Sequence, residues 1–479
     1  MFLYDGHNRR SFNAICQHNF GRKVIYTDQK RITADNILEE LGKAIPIHEQ
    51  NALEIDYLDR YYRGDAPIYY RKKDVRPEVN NRVHINLSIP LVETKASEMS
   101  GEPIQYVLRG TDEKKANDVV ELNTILENEG KQEVDIEICR WRSICGTAYR
   151  YIGNDNGEGH LFDDTTFYIS ACDPRTTFVV YYSTTKKPAY SVQILRNAKG
   201  EEYYGIYTDT LWFYTDRKGI ITKGINGDAQ IPVIEYPNNG RRLSDIEITI
   251  AINDVIDTLA SDRVNGIEQF VCSWVKFVNC EIDEALFRKM RQEGALVVKS
   301  NNGSENKADV DVLSQELNQT EAQSVMDDLF AKFLVVQGLA NRQSNTGGDT
   351  QGAVELRNGH YDAEKRAELS EPIFKKSERR FLQALLRRLR IDQVINLEPK
   401  DLEIKISRSK MDNMLVKAEV LQMILQSGIA PERAVKTVGL FNDPEQVYLE
   451  SEKRFNYLYP TEDKEDQKKP NEVIEVEDV

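Results

Sequence analysis

The sequence predicts an α+β protein built in several parts. Three observations carry this. Residues 147–236 alternate apolar and polar with a period of two, whereas residues 243–391 hold long stretches with apolar positions at steps near three and four. Between two of those helical stretches lies a Gly-rich break at 341–352 that cannot hold a helix.

A chain of 479 residues can bury a sizeable core and divides naturally into subdomains. An apolar fraction of 40% and a mean hydropathy of −0.55 predict much polar surface. No run approaches the ~18 apolar residues that span a bilayer, so no membrane association is expected. Met1-Phe2-Leu3-Tyr4 meets Asp5 at once, so no secretory leader is expected either. The six cysteines (Cys16, Cys139, Cys145, Cys172, Cys272, Cys280) form no CxxC pair and suit reduced, mostly buried thiols.

In order along the chain, residues 1–30 are polar and irregular. Residues 33–63 read as helix interrupted near Pro46, with Leu53, Tyr57, Leu58, Tyr61 and Tyr62 as a stripe and Gly64 as the stop. A basic segment follows (Arg71, Lys72, Lys73, Arg76), most simply a solvated turn. Next come Asn80-Asn81-Arg82-Val83-His84-Ile85-Asn86-Leu87 and a helix over 89–100, ended by Gly101 and Pro103. Helices are predicted over 113–129 and 131–145. The period then changes, and strands are predicted at 147–153, 166–170, 177–183, 189–196, 202–208, 210–215, 219–223 and 231–236, as one antiparallel region with turns at 216–219 and 226–227.

A first long helix is predicted from Leu243 to Phe270, with Ile248, Ile252, Val255, Ile256, Leu259, Val264 and Ile267 on one face. Residues 271–317 form a small mixed insertion: strands at 274–278, 295–298 and 309–313 around a short helix at 283–292. A second long helix covers 319–339, with Val325, Leu329, Phe333 and Val336 as its stripe, Thr320 as N-cap and Gly338 near the stop. A third runs from Ala353 to Ile391, kinked or divided at Pro372. An alternating strand at 402–406 follows, then helices over 412–427, after Pro431 and from Asp443-Pro444, where Asp is the N-cap. The tail from Pro460 is acidic and reads as flexible.

Charge is distributed unevenly. The net charge is −15, which argues against a surface that grips phosphates throughout. Residues 243–270 hold six acids, among them Asp254, Asp257, Asp262 and Glu268, against one base. Residues 319–339 hold three acids, including Asp327 and Asp328, against one base. Residues 353–391 reverse the sign, with ten bases and six acids; Arg379, Arg380, Arg387 and Arg388 cluster near the end. The plain reading of each set is the solvated face of a surface helix.

Gly347-Gly348-Asp349-Thr350-Gln351-Gly352-Ala353-Val354-Glu355-Leu356, set between two long helices, resembles the tunnel-loop junction of bacteriophage portal proteins of the long-tailed siphophage type. Two earlier segments are similar to the family as well: Tyr61-Tyr62-Arg63-Gly64 with Pro67-Ile68, and Asn81-Arg82-Val83 with Asn86 followed by a helix closing in Gly101-Glu102-Pro103-Ile104. After the 402–406 strand the family often has an Arg and then a Pro; here Arg408 is present, but Lys410 and Met411 stand where Pro is expected.

The resemblance implies a multi-part portal fold. Residues 1–242 would be the wing, helical first and then antiparallel β. Residues 243–270 and 318–339 would be stem helices flanking a clip at 271–317. The tunnel loop would be 340–352, the tunnel helix 353–391, a wing return strand 392–411, a helical crown 412–459 and an acidic tail 460–479. It further implies a homo-oligomeric ring, usually of about twelve subunits, at one capsid vertex, through which double-stranded DNA passes without sequence preference. Asn341, Arg342, Gln343, Ser344, Asn345 and Thr346 would face the DNA. Asp254, Asp257, Asp262, Glu268, Asp327 and Asp328 would form an acidic channel wall. Arg379, Arg380, Arg387 and Arg388 would bridge to an acidic neighbouring copy, where charge sets register more than affinity. The implied partners are the terminase large subunit, the major capsid and scaffolding proteins and a head-to-tail adaptor, in a virion assembled in the host cytoplasm.

The sequence shows little catalytic chemistry. There is no GxxxxGK[ST] phosphate loop, no HExxH and no GxSxG elbow, and the six histidines are scattered. No cofactor is expected and the chain reads as a non-enzyme. Asp309-Val310-Asp311 reads most simply as two acids on the exposed side of a strand. Two alternatives stay open: a metal-dependent phage nuclease acting through acidic clusters, and a capsid or scaffold component without a channel.

Overall fold

The structure is a computed structural model. It describes residues 21–74, 77–110, 112–154, 167–216, 218–271, 274–278, 309–313, 319–339, 360–392, 394–406, 414–438, 440–441 and 444–458, together with 285 and 288. The described residues fall into two compact units. One draws on Met1–Ala96 and Glu133–Arg388, the other on Ser97–Gln132 and Leu389–Val479.

The first unit begins with a short strand, β1 (Ile25–Thr27), and a helix, α1 (Ile37–Tyr62). α1 is continuous through Pro46, contrary to the predicted interruption. The missing donor is outweighed by burial on both sides of it: Leu41, Ala44 and Ile45 before, His48, Ile55 and Leu58 after. Helices α2 (Ser88–Ser100) and α4 (Lys131–Cys145) follow, with α3 (Glu113–Asn128) and β2 (Gln105–Leu108) between them in the chain.

Strands β3 (Thr147–Asn154), β4 (Phe167–Cys172), β5 (Thr177–Tyr182), β6 (Pro188–Arg196), β7 (Glu202–Tyr207), β8 (Leu211–Thr215), β9 (Ile220–Ile225) and β10 (Val233–Pro237) stand within two residues of the predicted bounds. They form two sheets rather than one region. The larger has the order β1-β5-β6-β7-β8-β9, the smaller β10-β3-β4. β1 pairs parallel to β5, Ile25 opposite Val180, in an otherwise antiparallel sheet. Three residues are too few for a period to show, so residues 1–30 gave no sign of this strand.

α1 serves two cores. Its first half sets Ile37, Leu41, Ala44 and Ile45 against the large sheet (Phe178, Val180, Tyr190, Val192, Ile206, Phe213). Its second half sets Ile55, Leu58 and Tyr61 against Val92, Ile144, Ile246 and Ile250. The last two belong to α5 (Asp245–Val271), so the foot of this long helix is planted in the second core.

Beyond α5 come β11 (Trp274–Val278) and β12 (Asp309–Leu313), which pair antiparallel, then α6 (Gln319–Gln337) and α7 (His360–Ile391). α7 is one helix through the exposed Pro372, neither divided nor ended there, because Ala367, Phe374, Phe381 and Leu385 are buried on both sides of it. α6 begins at Gln319, so Thr320 lies inside the helix rather than at its cap.

In the second unit β13 (Leu402–Lys405) pairs antiparallel with β2, Leu402 opposite Leu108. The Asn123 side chain of α3 closes β2 by accepting from Tyr106 N (3.4 Å) and donating to Tyr106 O (3.1 Å). Helices α8 (Met414–Gln426), α9 (Pro431–Val438) and α10 (Pro444–Leu458) complete it. The short helix at 283–292 (beyond residues 285 and 288), the strand at 295–298, Arg408, Asp443 and the acidic tail lie outside the described residues.

Candidate functional site

α5 and α6 form an antiparallel hairpin. At one end the Gln337 side chain donates to Asp245 O (2.6 Å) and Thr249 Oγ1 (2.7 Å); towards the other, Arg263 reaches Gln323 and Met326. The β11–β12 ribbon follows at that far end. Twenty-seven residues give α5 a length of about 40 Å.

α5 starts on a capping box. Ser244 Oγ accepts from Ile246 N (3.0 Å), while Glu247 Oε2 accepts from Ser244 N (2.8 Å). Ser244 Oγ also donates to Ile144 O (2.7 Å), tying the cap to α4. The S-x-x-E pattern of Ser244 to Glu247 is the sequence signature of this cap.

Beside the buried Ile246, Ile250, Ile256 and Ala260, α5 buries a polar row. Thr249, Asn253, Asp257, Ser261 and Asn265 recur every four residues, and none is more than 2% exposed. Buried polar groups are costly unless bonded, and each of these makes at least one side-chain bond, although Asn253 Oδ1 has no partner among the described residues. Asn253 donates to Tyr61 Oη (2.8 Å). Thr249 accepts from Gln337, and the other three meet an extended segment. Asn81 N donates to Asn265 Oδ1 (2.7 Å), Val83 N to Ser261 Oγ (2.9 Å) and Ile85 N to Asp257 Oδ1 (2.8 Å). Two extended residues advance ~6.6 Å and four helical residues ~6.0 Å, so alternate backbone donors meet every fourth side chain. The His84 ring adds Nδ1 at 2.6 Å from Asp257 Oδ2.

This reverses the predicted apolar stripe. Of its seven members only Ile256 is buried. Ile248, Val255, Val264 and Ile267 are exposed, Ile267 by 55%. On α6, Phe333 is buried while Val325, Val335 and Val336 are exposed, Val335 by 68%.

The acids read as a channel wall divide accordingly. Asp257 is closed inside the subunit and presents no charge outward, so it is withdrawn from any wall. Asp254 accepts from Tyr61 Oη (2.9 Å), and Glu268 from Asn81 Nδ2 (2.5 Å). Asp262 is paired with Arg71 (2.8 Å) and Lys73 (3.3 Å). Burial alone would raise its carboxyl, but those two cations outweigh it and hold it below the ordinary range. Asp327 and Asp328 are exposed on α6; Asp328 pairs with Lys332 one turn on (2.6 Å).

α7 is docked through a buried charge cluster. Arg150 lies between the rings of Tyr236 (4.8 Å) and Phe381 (4.4 Å) and pairs with Asp135 and with Glu378 (3.2 Å). Tyr236 Oη donates to the same Glu378 (2.7 Å). With Glu378 turned inward, Arg379 and Arg387 are exposed and Arg380 is half-buried. Arg388 reaches Asp228 of its own subunit (3.5 Å).

The ends of α6 and α7 meet. Arg366 Nη1 donates to Val335 O and Val336 O (both 3.1 Å), and Lys95 Nζ to Gln337 O (2.9 Å). These cations satisfy the open carbonyls at the C-terminus of α6. Gly338 then turns the chain at φ +64, where an L side chain is strained and a Cβ would strike Arg366. Asn341, Arg342, Gln343, Ser344, Asn345 and Thr346 lie outside the described residues.

Among the described residues no group of His, Cys, Asp and Glu is placed to hold a metal ion, and no helix is long and apolar enough to cross a membrane. Asp311 stands opposite Lys276 in the β11–β12 ribbon.

No curated protein matches the chain. Among solved structures it is similar to one described as the neck of an empty GTA particle computed with C6 symmetry. The two share 10% identity over 74% of this chain and 89% of the other, at a TM-score of 0.46. The family model for phage portal proteins of the SPP1 Gp6-like type matches residues 41–456, from within α1 to within α10 and across the whole α5–α6 hairpin. The chain therefore belongs to the SPP1 Gp6-like phage portal proteins, the non-enzymatic head–tail connectors of the virion.

Proposed function

We propose that copies of this chain close into a ring at one capsid vertex and that double-stranded DNA passes through its centre during packaging and ejection. Family membership implies an oligomeric ring. The observation that carries the reading is the inverted hairpin. α5 turns its polar residues into its own subunit and leaves Ile248, Val255, Val264 and Ile267 outside, and α6 leaves Val325, Val335 and Val336 outside. Apolar side chains on a hairpin this long are covered when neighbouring copies stand beside it.

In this reading residues 1–242 are the wing, 243–270 and 318–339 the stem, 271–317 the clip, 340–352 the tunnel loop, 353–391 the tunnel helix, 392–411 the return strand and 412–459 the crown, with 460–479 an acidic tail. Asn341, Arg342, Gln343, Ser344, Asn345 and Thr346 offer DNA mostly neutral donors and acceptors, giving weak contacts that exchange as it moves. Asp327 and Asp328 keep the stem negative. Arg379 and Arg387, free of the inward pull that takes Arg388 to Asp228, meet an acidic neighbour. The ring docks the terminase large subunit, the major capsid and scaffolding proteins and a head-to-tail adaptor.

Negative-stain images of the purified chain test this. Closed rings with a central hole are expected. A protein that stays monomeric across salt conditions overturns the proposal. V255E and I267E are expected to yield folded monomers, with unchanged circular dichroism and no rings.

A further inference from the structure

Residues 21–27 cross the foot of α5 and touch three elements on the way. Gly21 N donates to Glu247 Oε1 (3.3 Å), and Arg22 N to Arg242 O (3.1 Å). Lys23 exchanges two bonds with the Asn51 side chain of α1, both 2.9 Å. Ile25–Thr27 then joins the large sheet as its parallel edge strand, and Thr27 Oγ1 donates to Glu40 (2.6 Å). Gly21 has φ +84, and a Cβ there would lie 2.5 Å from Arg241 O, so the entry to this crossing has one shape.

The crossing is fixed by a buried charge cluster. Arg22 is 4% exposed. Its guanidinium pairs with Glu247, the same residue that closes the α5 capping box, and lies 3.1 Å from Glu54 of α1. The Glu54 contact is poorly directed. Among the described residues neither Glu54 oxygen has a hydrogen-bond partner, and Arg22 Nε and Nη1 have none. One cation thus faces two buried acids, and only one of them is well bonded. A second negative charge in this pocket would be left without donors, which is the expensive case for a buried ion.

We propose that residues 21–27 are a proton-gated strap: while Glu54 holds a proton the strap stays seated on the foot of α5, and when Glu54 ionises the seat is released. The titratable and charged groups facing Glu54 are Arg22 and Lys23 on the strap and Glu247 on α5. The neighbouring Cys145 thiol of α4, pushed up to about 12 by burial, stays neutral throughout. Burial, with Glu247 adding to it, pushes Glu54 up to about 7 against the opposing pull of Arg22 and Lys23. In the unfolded chain Glu54 titrates near the ordinary 4.5. The native state therefore binds the extra proton between those two values, and the seat weakens as pH rises towards about 7. Release would free the Gly21 and Arg22 contacts to the α5 cap and unpair the β1 edge.

Hydrogen exchange on the wild-type chain, corrected for intrinsic rates, tests this at about pH 6 and about pH 8.5. The amides of 21–27 and 244–247 are expected to lose protection by roughly tenfold or more between the two, one pK unit being a factor of ten. E54Q is expected to stay protected at both and R22Q to be unprotected at both. Equal wild-type protection at both pH values, or the same loss in E54Q, overturns the proposal. Should E54Q not fold, the wild-type midpoint decides: within about one unit of pH 7 supports the strap, and any other midpoint, or none, refutes it.

Discussion

At the residue scale, the buried ionisable groups of the first unit make separable predictions. His48 stacks on Phe178 at 4.2 Å and its Nε2 lies 2.9 Å from Arg175 O. Burial lowers it to about 4 from an ordinary 6.5, against smaller opposing effects of the Arg175 carbonyl and Asp173. Its contribution to stability is therefore present above pH 6.5 and is lost as pH falls towards 4, by up to on the order of 3 kcal/mol. Urea midpoints across that window should fall in the wild type and less steeply in H48Q. The Arg150 cluster predicts a larger effect. E378A leaves Arg150 buried with Asp135 as its remaining acid and Tyr236 Oη without its acceptor, so a loss of about 3–5 kcal/mol is expected in denaturant unfolding. E378Q should lose less, because it still accepts from Tyr236.

At the scale of elements, what could be read from the sequence depended on where the partner of each pattern lay. Of the eight strands between 147 and 237, all but β10 pair with the next or previous strand across turns that carry Gly, Asn and Asp, and this made them legible; β10 pairs with the distant β3. The long helices were legible as helices. Their faces were not, because the residues that bury the polar side of α5 lie some 180 positions earlier, at 81–85. A hydrophobic period assumes that the buried side is apolar, and here the backbone of a distant segment supplied the bonds that made burying Asp257, Ser261 and Asn265 tolerable. In the 80–87 stretch, periodicity assigns Asn81 no role; the structure bonds it to Asn265 and Glu268. S261A should therefore destabilise by about 1–3 kcal/mol, since Val83 N loses its acceptor in a buried place. Arg82 is exposed and the bonds are made by its neighbours, so R82A is expected to leave the thermal midpoint nearly unchanged.

At the scale of the whole molecule, the charge on the proposed interfaces is the testable quantity. Exposed Arg379 and Arg387 on α7 and exposed Asp327 and Asp328 on α6 are surface groups, worth little singly and screened by salt. Repeated around a ring they would set register, so the R379E/R387E double variant is expected to give rings that fall apart at lower salt than wild type, followed by analytical ultracentrifugation. An unchanged salt dependence would remove these arginines from the subunit contact. The α+β character could be inferred from one chain. The lining of the proposed passage could not, because it would belong to many copies and its walls would depend on which side of α5 each copy keeps for itself.

The meeting of residues 81–85 with α5 behaves as two rulers with different gradations. One is notched every second residue and the other every fourth, and the marks slip by ~0.6 Å at each notch. Losing one residue from the extended ruler turns every later donor away from the helix, and losing one from α5 swings its acceptors by about 100°. Sequence drift along this seam is therefore confined to exchanges of side chain, while its length is held in both places at once.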